Sequence, residues 1–386
     1  MSRFQSTYDE ANELYRKSRC YDAAVMFEQA RQIAREDLMA AEAAKAGVWA
    51  AISWNLAAHP MRAYTLLIDI LNTAEDDLEI LLRWYAQASV FGISCDYFPE
   101  LDKLQQRLEA LAQLQQEYPE LPLADVYQLR GILLRYQGQW QAALQQYELA
   151  WVEYNGDGYL KCIKAEKAAW CNLYLGNPVA AQRWCDRLGE TDTDWPNSRV
   201  AWYSLQAQLA LYDGDFAQAE VYADQSEREK DRVQEGAGGP CEIRVRTLLL
   251  QAELGDPGHP THPARFRLRQ RFQGKPNVFV VYDRALLVAD YRLACVRYCL
   301  GIPPVDDGWY QQGQQVPSRL PSDFQPQNFQ KRVKVARRAF RLALKQATDL
   351  DGCFQCHWRQ EEVQQRQTRL DELVNAAYSL LGGSRC

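Results

Sequence analysis

The apolar positions of this chain fall into helix-length segments broken by short turns, and the turns recur at a fixed interval. Gly138, Gly176 and Gly214 stand 38 residues apart, and each opens a short corner: Gly138-Gln139-Trp140, Gly176-Asn177-Pro178 and Gly214-Asp215-Phe216. A glycine after an apolar run supplies the positive φ that ends a helix, so each corner predicts two antiparallel helices meeting at a tight turn. Around each corner the side-chain sizes agree. A small residue stands seven before the glycine (Gly131, Ala169, Ala207) and another five after it (Ala143, Ala181, Ala219), while the position nine after is looser, with Tyr147, Cys185 and Ala223. Small residues let paired helices approach closely; Tyr127, Leu134, Tyr203 and Leu211 are placed to fill the space between hairpins.

Two earlier units keep the spacing with other corner residues. Ala11, Ala23, Phe27 and Ala30 flank KSRCYD, where Ser18 stands in for glycine; Ala51, Ala63 and Leu67 flank AAHP at 57–60. Residues 77–119 read as a more divergent pair broken at DYFPE, giving about six hairpins over residues 4–256. The pattern resembles the tetratricopeptide repeat family, most clearly in YQLRGILLRYQGQWQAALQQYELA (127–150) and YSLQAQLALYDGDFAQAEVYADQS (203–226). It departs from that family's 34-residue period by about one helical turn or a longer connection such as TDTDWPNS. The resemblance implies an all-α fold, a right-handed solenoid of antiparallel hairpins with one helix of each pair on a concave, partner-binding face. On that geometry Tyr136, Tyr174 and Tyr212, each two before a corner glycine, form a column in the groove, with Arg135, Glu166, Trp170 and Gln208 beside it. The competing reading is that the tyrosines pack between repeats.

The carboxy-terminal third reads differently. GDPGHPTHP (255–263) is turn- and polyproline-prone, so an array over 1–256 and a module over 257–386 are expected. The module predicts a helix at 278–301, a proline-rich inserted loop at 301–328, a second helix at 330–350 and a capping helix at 358–381. Charge sharpens the division. Residues 259–386 hold 20 Lys and Arg against 11 Asp and Glu, a balance of +9, within a chain of net charge −6; residues 1–258 therefore carry −15. Lys331, Lys334, Arg338, Arg341 and Lys345 share one helix face, with no acidic residue between 324 and 348. Arg265, Arg267, Arg269 and Arg271 alternate with Phe266 and Leu268, a pattern suited to gripping phosphates. Both basic sets read equally as solvated surface or as partners of the acidic array.

Composition bounds the chemistry. A 386-residue chain with 47% hydrophobic residues can bury a continuous core, and no stretch of 18 residues lacks a charge or strong polar break. The amino terminus has no apolar export region and the eleven cysteines are scattered and odd in number, so a cytoplasmic protein with reduced thiols is expected. Cys353, Cys356 and His357 form C-x-x-C-H, a haem-attachment pattern in the wrong compartment. With Cys295 and Cys299 they supply the ligand types of a zinc site, and otherwise read as unliganded thiols at a helix turn. Four histidines and no phosphate loop, zinc-protease or nucleophile-elbow motif point away from an enzyme. The expected role is an adaptor or assembly factor holding a partner protein or peptide. A nucleic-acid-associated regulator using the basic face is the first alternative, and an intracellular peptide sensor the second.

Overall fold

The computed structural model describes residues 2–57, 59–155, 159–191, 196–213, 215–230, 278–302 and 316–382. Among these the protein is all-helical, with no strand. Twelve helices pair in sequence order: α1 (Arg3–Arg16) with α2 (Cys20–Glu36), α3 (Ala40–Leu56) with α4 (Pro60–Thr73), α5 (Ile80–Tyr97) with α6 (Leu101–Glu117), α7 (Leu123–Tyr136) with α8 (Trp140–Glu153), α9 (Tyr159–Tyr174) with α10 (Pro178–Glu190), and α11 (Pro196–Tyr212) with α12 (Phe216–Lys230). Then follow α13 (Val278–Cys299), α14 (Pro326–Phe354) and α15 (Trp358–Leu380).

The corners share one hydrogen-bond device. The third residue past the helix donates its N–H to the carbonyl five residues back: Arg19 to Leu14 at 3.0 Å, His59 to Trp54 at 2.8 Å, Gln139 to Leu134 at 2.9 Å, Asn177 to Asn172 at 2.9 Å and Asp215 to Ala210 at 2.9 Å. This closure needs a left-handed residue one step earlier. Gly138 (φ 76°) and Gly176 (φ 71°) supply it, and in the first hairpin Ser18 does so itself at φ 57°. Gly214 lies outside the described residues. The same bond joins Met39 to Ala34 at 2.8 Å between the first two hairpins, where Leu38 takes φ 59°. The α5–α6 corner differs: Phe98 donates to Ser94 without this closure.

Packing repeats with the corners. The positions seven before and five, nine and twelve after them are Ala11, Ala23, Phe27 and Ala30 in the first hairpin, and Ala51, Ala63, Leu67 and Ile70 in the second. They are Gly131, Ala143, Tyr147 and Ala150 in the fourth, Ala169, Ala181, Cys185 and Leu188 in the fifth, and Ala207, Ala219, Ala223 and Ser226 in the sixth; all are buried. Close approach explains the small residues: a Cβ at Gly131 would stand 2.7 Å from the Tyr147 ring.

The chain clusters into two compact units, one holding Met1–Cys171, Ala180–Tyr203 and Gln225–Ala237, the other Asn172–Val179, Ser204–Asp224 and Gly238–Cys386. The expected boundary at 256/257 lies outside the described residues. In the first unit each of α1 to α7 packs on the next, and the first helices also meet one another, α3 with α5 and α5 with α7. The first helices thus form an inner layer packed on two sides, while second helices such as α4 and α6 bury a single stripe (Ala63, Leu66, Leu67, Ile70; Leu101, Leu104, Leu108, Leu111). In the second unit α13, α14 and α15 pack mutually. The core stripe of α14 is Phe329, Val333, Ala336, Phe340, Ala343, Ala347 and Leu350, at alternating steps of four and three. No helix among the described residues is long and apolar enough to cross a membrane.

Candidate partner-binding surface

The inner layer leaves one stripe of α3 and one of α5 open. In α3 every residue between Glu42 and Leu56 is buried except Lys45, Trp49, Ile52 and the end residue Asn55, so Glu42, Lys45, Trp49, Ile52 and Leu56 form a half-buried row at steps of three and four. In α5 the corresponding row is Leu81, Tyr85, Ala88, Gly92 and Asp96. A Cβ built on Gly92 meets nothing within 4 Å, so the backbone there faces open space.

Aromatic rings connect these rows. Tyr15 of α1 meets Trp49 edge-on at 5.7 Å between centroids, and Trp49 meets Tyr85 at 6.2 Å, giving a ladder over three successive first helices. Burial pushes the Tyr15 and Tyr85 hydroxyls above the usual phenol range, so both stay neutral hydrogen-bond donors at physiological pH. Tyr85 and Trp49 thus combine large apolar area, restricted rotamers and a polar tip, the properties of a residue that grips a partner chain.

The contact of α9 with α7 is polar. The fully buried Lys164 of α9 donates to Gln128 Oε1 at 2.8 Å and Leu160 O at 3.3 Å, lies 3.5 Å from Asp125 Oδ1, and sits 4.3 Å from the Tyr154 ring centre. Burial lowers the Lys164 pKa and raises that of Asp125, while their mutual attraction opposes both shifts. Removing either partner strands a buried charge, so the pair fixes how α9 sits on α7.

The residues singled out from the sequence are distributed as follows. Tyr136 is buried, with its hydroxyl donating to Asp96, and the Arg135 guanidinium lies over its ring at 4.8 Å. Glu166 pairs with Lys167 at 2.9 Å, and Trp170 is half-buried. In the second unit Gln208 is buried, Tyr212 is half-buried, and Tyr174 meets Trp358 edge-on at 6.1 Å. Tyr174 is therefore covered in part by the chain's own last helix. Lys331, Lys334, Arg338, Arg341 and Lys345 are all exposed on α14, opposite its core stripe. Arg265, Arg267, Arg269 and Arg271 lie outside the described residues.

Around the C-x-x-C-H segment the structure builds a helix corner. Gln355 takes φ 51° and ends α14, and Cys356 N–H donates to Asp351 O at 3.0 Å. Asp351 is fully buried; one carboxylate oxygen receives Arg359 at 2.9 Å and the Cys356 thiol at 3.3 Å, the other the Gln360 N–H at 3.0 Å. Cys353 donates to Asp349 O, and His357 Nδ1 meets Gln360 at 3.3 Å. Burial, then the Asp351 carboxylate, pushes the Cys356 thiol up to about 12. Among the described residues no three His, Cys, Asp or Glu side chains gather as a metal-binding group. Arg359 itself is buried among Phe279, Tyr282, Phe354 and Trp358, 4.2 Å from the last ring.

Neither the aromatic ladder nor this arginine pocket was read from the sequence. A signal for the ladder exists: α3 is almost entirely small and apolar, and Glu42 and Lys45, three apart, mark the side left open. Fold and surface together define an all-helical protein of stacked, repeat-like hairpins with an open inner-layer stripe. No protein-family model and no curated protein matches the chain.

Proposed function

We propose that this chain is a tetratricopeptide-like binding protein, a right-handed solenoid that holds a segment of a partner protein against its first-helix layer and performs no catalysis. The observation that carries the reading is the open stripe of α3 and α5, where Trp49, Ile52, Leu56, Leu81 and Tyr85 line a surface that the framework leaves half-uncovered. Rigid aromatics on a repeated scaffold give a partner large contact area at small entropic loss. The Gly92 gap admits close approach of a second backbone. The assignment as adaptor or assembly factor follows from that binding role and requires no cofactor. Cysteines scattered along the helices, with Cys20, Cys95, Cys162, Cys171 and Cys185 buried as small apolar residues, suit a cytoplasmic setting.

Gly92 also provides the test. A phenylalanine there meets no neighbour at its Cβ and so blocks the stripe without disturbing the core. Partner proteins retained by the wild-type chain from native extract, at both low and high salt, are expected to be lost by Gly92→Phe at an unchanged melting temperature. Retention of the same partners by both Gly92→Phe and Trp49→Ala would sink the reading.

A further inference from the structure

The outer face of α14 is built as regularly as its core. The buried stripe advances in alternating steps of four and three from Phe329 to Leu350, and Lys331, Lys334, Arg338, Arg341 and Lys345 advance in steps of three and four on the opposite side. Because both rows keep the same mean period, the cations hold a constant angle to the core and do not wind around the helix. All five are exposed, and none makes an ion pair among the described residues, whereas Arg337 on the flank pairs with Asp371 at 2.8 Å. Neighbours three and four apart lie about 5–6 Å from one another, so the row carries uncompensated repulsion of a few tenths of a kcal/mol per pair.

We propose that this face binds the phosphate backbone of a nucleic acid. From Lys331 to Lys345 the row advances fourteen residue steps, about 21 Å at 1.5 Å per residue. A nucleic-acid strand carries one phosphate per about 3.4 Å of helix axis, so some six phosphates run the length of the row. An acidic protein partner fits less well. Protein interfaces deplete lysine and seat aromatic anchors at their centres, and this face offers only Val335 and Leu342 at its edge. Nucleic-acid interfaces draw most of their contacts from Lys and Arg to phosphate. With a net charge of −6 the chain as a whole does not attract polyanions, so binding must be local to this face. The proposal goes beyond the partner-binding role of the first-helix layer and stands independently of it.

The test is fluorescence anisotropy with the full chain and two labelled probes, a 20-base-pair DNA duplex and a 20-nucleotide RNA, between 50 and 200 mM salt. The expected result is binding to at least one probe that does not depend on sequence. For the duplex, five phosphate contacts predict a fall of a few hundredfold, roughly, over that salt range. Arg338→Glu with Arg341→Glu is expected to weaken binding at least about tenfold and reduce the salt slope by about two. The neutral pair Lys331→Gln with Lys334→Gln should act in the same direction, and Arg16→Glu, an exposed cation of α1, should change nothing. Unchanged far-ultraviolet circular dichroism keeps the variants comparable. Absence of binding at 50 mM salt overturns the proposal, as does binding indifferent to both double variants. Binding to poly-glutamate as tight as to the duplex, with the same dependence on Arg338 and Arg341, replaces it with an acidic protein partner. Sedimentation with phosphatidylserine vesicles without nucleic-acid binding replaces it with a membrane surface.

Discussion

Two neighbouring helices of the second unit, α14 and α15, treat their cations in opposite ways. On α15 the arginines point inward. Arg359 meets Asp351 among four aromatic rings, Arg366 reaches Asp290 at 3.0 Å and Glu362 at 3.2 Å, and Arg369 pairs with Glu372 at 3.3 Å. Glu362 is held from the other side by the Tyr282 hydroxyl at 2.6 Å. On α14 five cations point outward, and none makes an ion pair among the described residues. The difference separates two uses of the same residue types. A buried guanidinium paired with a carboxylate specifies how helices fit, because any other register strands a charge. An exposed row of like charges costs the fold a little through repulsion and leaves its cations to a ligand.

The sharpest way to break this comparison is to remove Arg359. Arg359→Met leaves the Asp351 carboxylate buried without its counter-ion, and about 3–5 kcal/mol of stability is expected to disappear in urea unfolding followed by tryptophan fluorescence. Adding Asp351→Asn removes the stranded charge while retaining an oxygen for the Gln360 N–H, so the double variant should be more stable than Arg359→Met alone. A double variant no better than the single would show that packing on the aromatic rings, not the ion pair, is what Arg359 supplies.

The same corner makes a prediction about pH. The Cys356 thiol is raised in the folded protein, so its contribution is complete below the unfolded-state pKa, near 9, and is lost as pH rises towards about 12. At pH 8 its alkylation is expected to be at least about tenfold slower in the native chain than in urea, since little thiolate forms. Equal rates, read site by site by mass spectrometry, would contradict the buried Asp351–Cys356 contact.

Smaller effects are expected on α14. At Gly352, inside its last turns, a Cβ would meet nothing within 4 Å, so Gly352→Ala should stabilise by about 0.5–1 kcal/mol through helix propensity alone. Smallest of all, Lys334→Glu places an acid between Lys331 and Arg338 and turns two repulsive neighbours into attractive ones. A gain of a few tenths of a kcal/mol is expected. A loss above about 1 kcal/mol would mean that Lys334 has a structural partner and that the two helices are not opposites.

Much of the fold was legible because it rests on local rules. The 38-residue spacing of Gly138, Gly176 and Gly214, with alanines at fixed offsets, marked helix ends and close helix pairs without knowledge of any neighbour. Ser18 was readable as a glycine substitute from its offset, although its left-handed φ of 57° is favourable only in the company of the corner hydrogen bonds. The site was far less legible. Tyr136 carries the same corner offset as Tyr174 and Tyr212, yet it is buried against Asp96, a residue 40 positions earlier whose proximity no local pattern announces. The ladder of Tyr15, Trp49 and Tyr85 keeps no constant offset from the corners, because it follows the packing of adjacent helices and not the period of the repeat.

The sequence by itself determined that the chain is helical, where most helices turn, and that its net positive charge lies in the last third, since periodicity, glycine and residue charge need no knowledge of distant neighbours. Tertiary structure alone decided which cations are inside and which outside. Arg359 and Arg338 are the same residue on adjacent helices, and only the packing of the buried Asp351 and the rings of Phe279 and Trp358 around one of them makes its charge part of the core.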